Sequence, residues 1–363
     1  MNAPAGSEAR PIRWGIFGTG WVASAFAEGL GYARDARLVA VASRSTLSAT
    51  AFAQRFGIPT AHGSYEALAA DPDIDIIYVA TPNEHHRDHC LLAIRAGKAV
   101  LCEKPFALDG TQAHEIVEAA REHDVFCMEA MWSRCSPAFK QALAQVRDGR
   151  LGPLLHLDAQ LGFAKQPTPG NRLFEGAGAG ALLDLGVYTL ALAQAVFGNP
   201  TRISASRIRT AEGVDEHVDI LLGYENGCSA SLSASLSTTL SNSARLHGRE
   251  GVLELHAPLY FPERYSFVPV HAAGEPAPIS PSVVRRYRQH PLLRSAMDRL
   301  RGWRDDLRKD SKPFYPVGTG YTVEAEEAMR CLRAGAKESA DVPLTDTLAV
   351  METIDHIRRA WIV

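Results

Sequence analysis

The stretch Ile12-Arg-Trp-Gly-Ile-Phe17-Gly18-Thr-Gly20-Trp21-Val22-Ala23 decides how the rest of the chain is read. Its first six residues form an apolar run of strand type, and a helical pattern follows to about Gly29. Between them lies Gly-x-Gly-x-x-Ala. Glycines in such a turn let backbone N–H groups approach a pyrophosphate at a helix N-terminus, and the alanine lets helix and strand pack closely. Gly18, Gly20, Trp21 and Val22 are therefore candidate dinucleotide contacts. Leu38 to Ala42 supplies the next strand and ends in Ser43-Arg44-Ser45. An NAD site carries an acid at that position for the ribose hydroxyls, whereas a 2′-phosphate takes hydroxyls and a cation. Asp35 lies before the strand, on the wrong side, so Ser43 and Arg44 favour NADP, with NAD the second choice. The competing reading makes Arg44 an ordinary surface arginine.

Moving outward, helical segments at Ala49–Phe56 and Tyr65–Ala70 precede a strand, Asp73 to Ala80, that ends in Thr81-Pro82-Asn83. The helix from Glu84 to Gly97 carries His85, His86 and His89 in its first turns. His85 and His89 stand one turn apart, yet no further ligand pattern converges on them, and no metal site is assigned. Lys98 to Cys102 is another buried strand, and it runs into Glu103-Lys104-Pro105. An acid and a base thereby reach the carboxyl edge of the sheet, where ligands of open α/β sheets bind. A strand-end ion pair is the plainer reading of the same residues. A helix over Thr111–His123 and a strand over Val125–Met128 complete an alternation that requires a doubly wound parallel sheet.

The second half changes texture. Leu154–Leu161, Arg202–Arg209, His217–Tyr224, Cys228–Leu236, Ser243–His247 and Val252–His256 read as strands joined by short turns. Asn226-Gly227 marks a tight hairpin, so neighbouring strands there are antiparallel. Ser229, Ser231, Ser233 and Ser235 alternate with apolar residues and share one face. Among these strands lies Gly178-Ala-Gly180-Ala-Leu-Leu-Asp184-Leu-Gly186-Val-Tyr188. On a helix, Asp184 and Tyr188 project from one side, a turn apart, which suits proton exchange with an alcohol and binding of neighbouring hydroxyls. An N-terminal aspartate and a core tyrosine would look the same in isolation.

Composition bounds the function. With 38 basic and 41 acidic residues, the 363-residue chain carries no surplus charge for nucleic acid. It is long enough for two domains. The six cysteines are scattered and lack Cys-x-x-Cys spacing, which reads as reduced, buried thiols. The first residues lack the apolar core of a signal peptide and no apolar run is long enough to span a membrane, so a cytoplasmic location without membrane contact is expected. Pro276–Pro316 reads as an excursion with a basic helix around Leu292–Leu307.

Four motifs in order, Gly18-Thr-Gly20, Thr81-Pro82-Asn83 with His86, Ala96-Gly97-Lys98 and Glu103-Lys104-Pro105, make the chain resemble the glucose-fructose oxidoreductase, inositol dehydrogenase and rhizopine-catabolism (Gfo/Idh/MocA) family. The resemblance implies a Rossmann domain over residues 1–131, and an α+β substrate domain over 132–345 with a large open-faced, mostly antiparallel sheet. It also implies that a final helix, 346–363, packs back near the first domain. It places Thr81, Pro82, Asn83, His86, Glu103 and Lys104 at the cofactor, and a cis peptide before Pro105. Trp132 and Arg134 are either pocket residues or a packing pair at the domain junction. Asp-Leu-Gly-Val-Tyr is similar to the branch containing dimeric dihydrodiol dehydrogenases and NADP-dependent xylose dehydrogenases. The inositol branch has histidine where this chain has Tyr188.

What the resemblance implies is hydride transfer between nicotinamide and a carbinol carbon of a sugar, xylose- or glucose-like, or of a cyclic trans-diol. Tyr188 would exchange the proton, Lys104 would polarise or relay, and Asp184 would orient. Lys104 is the cation that would stabilise a Tyr188 phenolate. Reduction of a keto sugar and a non-catalytic NADP sensor are the alternatives. The serine face would sit in a homodimer or tetramer contact through the second sheet, with plain solvent exposure as the other reading.

Overall fold

In the computed structural model, residues 10–270 and 310–362 are described. The apolar runs of the first third become strands β1 (Ile12–Phe17), β2 (Ala36–Ala42), β3 (Thr60–His62), β4 (Ile76–Val79), β5 (Ala99–Cys102) and β6 (Cys127–Glu129). They form one parallel sheet in the order β3-β2-β1-β4-β5-β6. The order reverses between β1 and β4, so the two following loops part there and leave a crevice at the carboxyl edge. Helices α1 (Trp21–Leu30), α2 (Thr46–Phe56), α3 (Tyr65–Ala69), α4 (His86–Arg95) and α5 (Gly110–Glu122) make the crossovers. Ser45, Ser64 and Asp109 cap α2, α3 and α5, each accepting a backbone N–H three residues on. No side chain caps α1; its N-cap is Gly20. Short β3 carries little strand signal, and the expected helix over 84–97 opens as a 3-10 turn, Asn83–His85.

Beyond α6 (Trp132–Cys135) and α7 (Pro137–Arg147) comes the second sheet. It contains β7 (Leu154–Gly162), β8 (Arg202–Arg209), β9 (Asp215–Gly223), β10 (Ser229–Ser235), β11 (Ala244–Gly248), β12 (Gly251–Leu255), β13 (Arg264–Pro269), β14 (Asp310–Pro313) and β15 (Trp361–Ile362). Among the described residues the order is β14-β13-β12-β11-β7-β10-β9-β8-β15, antiparallel except for β7 with β10 and β15 with β8. One face packs against α8 (Val187–Phe197), whose residues Val187 to Ala193 are all buried. The small apolar residues of β10 point into that core, while Ser229, Ser231 and Ser233 are half-buried on the open face and Ser235 is buried.

The chain then adds α9 (Gly320–Arg333), packed against α1 and α6, and α10 (Leu344–Ala360), packed against α5 and α8. On the α5 side, Asp355 Oδ2 accepts the Gly110 N–H at 2.8 Å and Arg358 donates to the Leu108 carbonyl at 2.7 Å. The expected final helix over 346–363 starts earlier and stops at Ala360, because Trp361–Ile362 extends alongside β8. Arg207 closes over the Trp361 ring at 3.7 Å, a cation–π contact that holds this edge. The basic helix expected around Leu292–Leu307 lies outside the described residues. All six cysteines are free and buried, and no helix among the described residues is long and apolar enough to cross a membrane.

Candidate active site

A groove of about 480 Å3 runs along the carboxyl edge of the first sheet, bounded by the β1–α1 turn, Ser43-Arg44 and Thr81-Pro82-Asn83. Gly18 has φ +106°, and a Cβ there would stand 2.7 Å from the Ala80 carbonyl oxygen. Nothing lies within 4 Å of a Cβ placed on Gly20. The turn is therefore closed on the protein side and open on the groove side, and the uncapped α1 presents its free N–H groups there. This cradle, with hydroxyls and the Arg44 guanidinium beyond the β2 end, fits a dinucleotide.

The Thr81–Asn83 turn is braced from behind. His86 is fully buried, with Nδ1 2.8 Å from the Pro105 carbonyl and Nε2 2.9 Å from the Thr81 carbonyl. It cannot touch a ligand, which corrects the expectation of a cofactor contact; it ties the Thr81 turn to the Lys104–Pro105 loop. A neutral ring donates to only one of these carbonyls. Burial favours that neutral form, and the two carbonyls oppose it. His89 is 2.8 Å from the Thr81 hydroxyl and packs on Tyr65 and Phe17, and burial lowers its pKa to about 4.

At the end of β5, Glu103 accepts the Tyr78 hydroxyl proton and, on its other oxygen, the Lys104 N–H at 3.1 Å. Burial raises its pKa, and these partners pull it back. The peptide between Lys104 and Pro105 is cis. Lys104 Nζ lies 2.7 Å from Asp184 Oδ1 and 2.8 Å from the Asp184 carbonyl. That carbonyl is presented by a π-helical turn, Leu182–Gly186, which widens the helix just before α8; such turns recur at functional sites. One turn further, Tyr188 lies with its ring centroid 5.0 Å from Lys104 Nζ, and its hydroxyl accepts from Trp132 Nε1 at 2.9 Å.

Lys104 was expected to stabilise a Tyr188 phenolate, and the environment opposes this. Burial, then the charges of Glu103 and Asp184, drive the phenol well above its ordinary pKa, while Lys104 faces the ring and pairs with Asp184. The surroundings of Tyr188 therefore favour its neutral form.

These groups line a second cavity of about 520 Å3, which shares Trp21 and Val22 with the groove. Trp132 is one of its walls. Arg134 is not: it is buried and pairs with Asp346 at 2.8 Å where α6 meets α10, so the junction reading holds for it. Sequence reasoning missed Lys165, Leu173, Tyr260 and Tyr321, which complete the cavity. They come from loops and a helix start with no motif of their own. The aromatic walls interlock, with Trp132 stacked on Tyr260 and tilted against Tyr321, at centroid distances of 5.7 and 4.6 Å.

Comparison with known proteins places the chain in a family. Residues 12–131 match the oxidoreductase family, NAD-binding Rossmann fold model of Gfo/Idh/MocA, and residues 139–254 match a C-terminal domain model of the same family. The chain belongs to the Gfo/Idh/MocA family. It is an oxidoreductase. Trans-1,2-dihydrobenzene-1,2-diol dehydrogenase of Oryctolagus cuniculus is 35% identical over 89% of this chain and 90% of its own length. The Homo sapiens protein of that name is 33% identical over 96% of each chain. Among solved Gfo/Idh/MocA-like folds, an aldose-aldose oxidoreductase from Caulobacter crescentus superposes with a TM-score of 0.78 at 24% identity, covering 97% of both chains. A 3-ketoreductase from Actinomadura kijaniata, in complex with NADP, superposes with a TM-score of 0.78 at 23% identity, over 97% and 98% of the two chains.

Proposed function

We propose that the chain is an NADP-dependent dehydrogenase acting on a carbinol of a cyclic trans-diol or an aldose-like sugar. The observation that carries this reading is Lys104 Nζ, held 2.7 Å from Asp184 and beside the Tyr188 phenol in a cavity adjoining the groove. Ser43 and Arg44 support the 2′-phosphorylated cofactor, and the full-length likeness to dihydrodiol dehydrogenases supports the diol or sugar. When bound, the nicotinamide supplies the hydride acceptor at C4. The chain does the rest. Asp184 fixes the lysine and takes a neighbouring substrate hydroxyl, and the Lys104 ammonium, paired with Asp184, stabilises the carbinol oxygen as its proton passes to Tyr188. In reduction of a keto sugar the neutral Tyr188 hydroxyl gives its proton to the carbonyl oxygen, and oxidation is the same step in reverse, the carbinol proton passing to Tyr188 after the phenol has lost its own to solvent. Met131 is the proposed boundary between the nucleotide and substrate domains, where the first family match ends.

The test is reduction of NADP followed at 340 nm with a panel of cyclic trans-diols and aldoses, for the wild type and for Lys104→Met. Turnover that falls about 10²–10⁴-fold in the variant, while NADPH binding changes by no more than about threefold, is the expected result. Tight NADPH binding without turnover on any member of the panel would replace the enzyme with a sensor.

A further inference from the structure

A third cavity, of about 420 Å3, adjoins the second, and Lys104, Asp184 and Tyr188 do not line it. Its volume is within the range of small-molecule sites, about 300–1,000 Å3. Trp21, Trp132, Tyr260 and Tyr321 line both cavities. Trp132 shows how the two are related. Its Nε1 donates to the Tyr188 hydroxyl, while on the opposite edge of the indole Cε3 would stand 2.4 Å from a Cβ placed on Gly320, which lines the third cavity. The indole thus meets one cavity with its N–H edge and the other with its benzo edge. Trp21, the first residue of α1, is 77% exposed and borders the groove and both cavities.

The polar groups of the third cavity share one character. Glu28 on α1 and Glu263 just before β13 bring carboxylates, and no arginine, lysine or histidine is among the described residues that line it. Glu28 shares its charge with Arg55 at 3.5 Å, whereas Glu263 is exposed and has no ion pair among the described residues. Carboxylates accept hydrogen bonds from hydroxyls, and they repel phosphates and other anions. Aromatic faces carry the negative side of the ring quadrupole and attract the C–H groups on the flat side of a sugar ring. The wall is also fixed in place. Leu259 donates to the Asn242 carbonyl at 2.8 Å, Phe261 to the Pro258 carbonyl at 3.1 Å and Phe314 to the Glu263 carbonyl at 2.7 Å, so the loop carrying Tyr260 and Glu263 is tied at three points.

We infer that the third cavity is a subsite for a second, neutral sugar ring, so that the substrate class is a disaccharide or glycoside: one ring presents its carbinol at Lys104, and the other lies on the Trp21, Trp132 and Tyr260 rings with hydroxyls donated to Glu28 and Glu263. The inference rests on the dehydrogenase reading and narrows it, since a monocyclic diol or a single sugar engages the second cavity alone. Binding energy from a remote part of the substrate raises kcat where it positions the reacting part. Trp132 supplies that link here, because the indole that borders the third cavity also holds the Tyr188 hydroxyl.

NADP reduction is followed with lactose, cellobiose and maltose against glucose and galactose, and with UDP-glucose as an anionic counterpart. The proteins are the wild type, Glu263→Gln, and Ala25→Phe, which places a ring into the third cavity from the half-buried Ala25 of α1. Tryptophan fluorescence reads binding of the same sugars without turnover. In the wild type at least one disaccharide should exceed its component monosaccharides in kcat/KM by at least about tenfold. Ala25→Phe should erase that advantage and Glu263→Gln should cut it at least about threefold, while monosaccharides stay within about threefold of wild type in both. Monosaccharide turnover with no gain for any disaccharide overturns the proposal, as does a preference for UDP-glucose, or an advantage that survives both variants. A wild type that turns over none of these sugars, yet binds a disaccharide more tightly than its monosaccharides and loses the difference in Ala25→Phe, would refute the dehydrogenase reading and leave the subsite standing. Absence of a disaccharide preference in both readouts overturns the subsite.

Discussion

Glu129→Gln offers a perturbation whose size follows from the structure. Glu129 ends β6 and is 3% exposed. Oε2 accepts the Thr347 hydroxyl at 2.9 Å, and the Phe106 backbone N–H also favours the charged carboxylate. Burial raises the pKa from 4.5 to about 7, against Thr347, the Phe106 N–H and the Arg134 charge, which lower it. An acid whose pKa is raised on folding binds its proton more tightly in the native state. Its favourable contribution is therefore complete below about pH 4.5 and is lost as pH rises through about 7. A shift of that size corresponds to about 3 kcal/mol between the two limits. Glutamine keeps an oxygen for Thr347 and cannot ionise, so its own cost, that of burying an amide donor, is independent of pH. Relative to wild type, the variant should gain about 3 kcal/mol between pH 4.5 and pH 8. For a chain of 363 residues this is about 4 °C in Tm. Thermal melts of both proteins from pH 4.5 to 8 give the difference directly, and other carboxylates cancel in it. A Tm difference that stays constant across this range would refute the ionisation of Glu129 as the cause.

Two further outcomes are expected. Gly18→Ala forces a side chain into φ +106° with its Cβ 2.7 Å from the Ala80 carbonyl, and should cost about 1–3 kcal/mol of stability and weaken NADPH at least about tenfold by titration. The open face of the second sheet presents Leu221, 53% exposed, beside Ser231 and Ser233, and we propose that it pairs two copies of the chain; Leu221→Arg should then turn a dimer into a monomer by light scattering, and an unchanged mass would reject this face.

The parts of the site that repeat a local pattern were legible. The turn at Gly18 needs a conformation and a close approach that only glycine allows, so its spacing announces it. Glu103-Lys104 follows a buried run, and the strand it ends has one sheet edge to reach. Asp184 and Tyr188 share a side through helical spacing alone, even with a π turn between them. The Asn226-Gly227 hairpin joined β9 and β10 as its residues require, with Tyr224 donating to the Cys228 carbonyl at 3.0 Å. His86 misled, and Arg134 stayed open between two readings, because the same residue types serve as ligand contacts and as buried braces. What separates the two roles is exposure, which depends on elements far away in sequence.

By itself, then, the sequence determined the alternating first half, its phosphate turn, the antiparallel character of the second half and the lysine, aspartate and tyrosine set. These follow from backbone sterics and side-chain periodicity, which act within a few residues. Tertiary structure decided that β7 and β10 lie side by side and parallel, that Trp361 extends the sheet edge, and that Lys165, Tyr260, Tyr321 and Arg172 face the cavities. It also decided that the Tyr188 phenol sits where burial favours its neutral form. A pKa is a sum of desolvation and charge over every group packed around the phenol, and Glu103, Asp184 and Trp132 reach it from three separate elements.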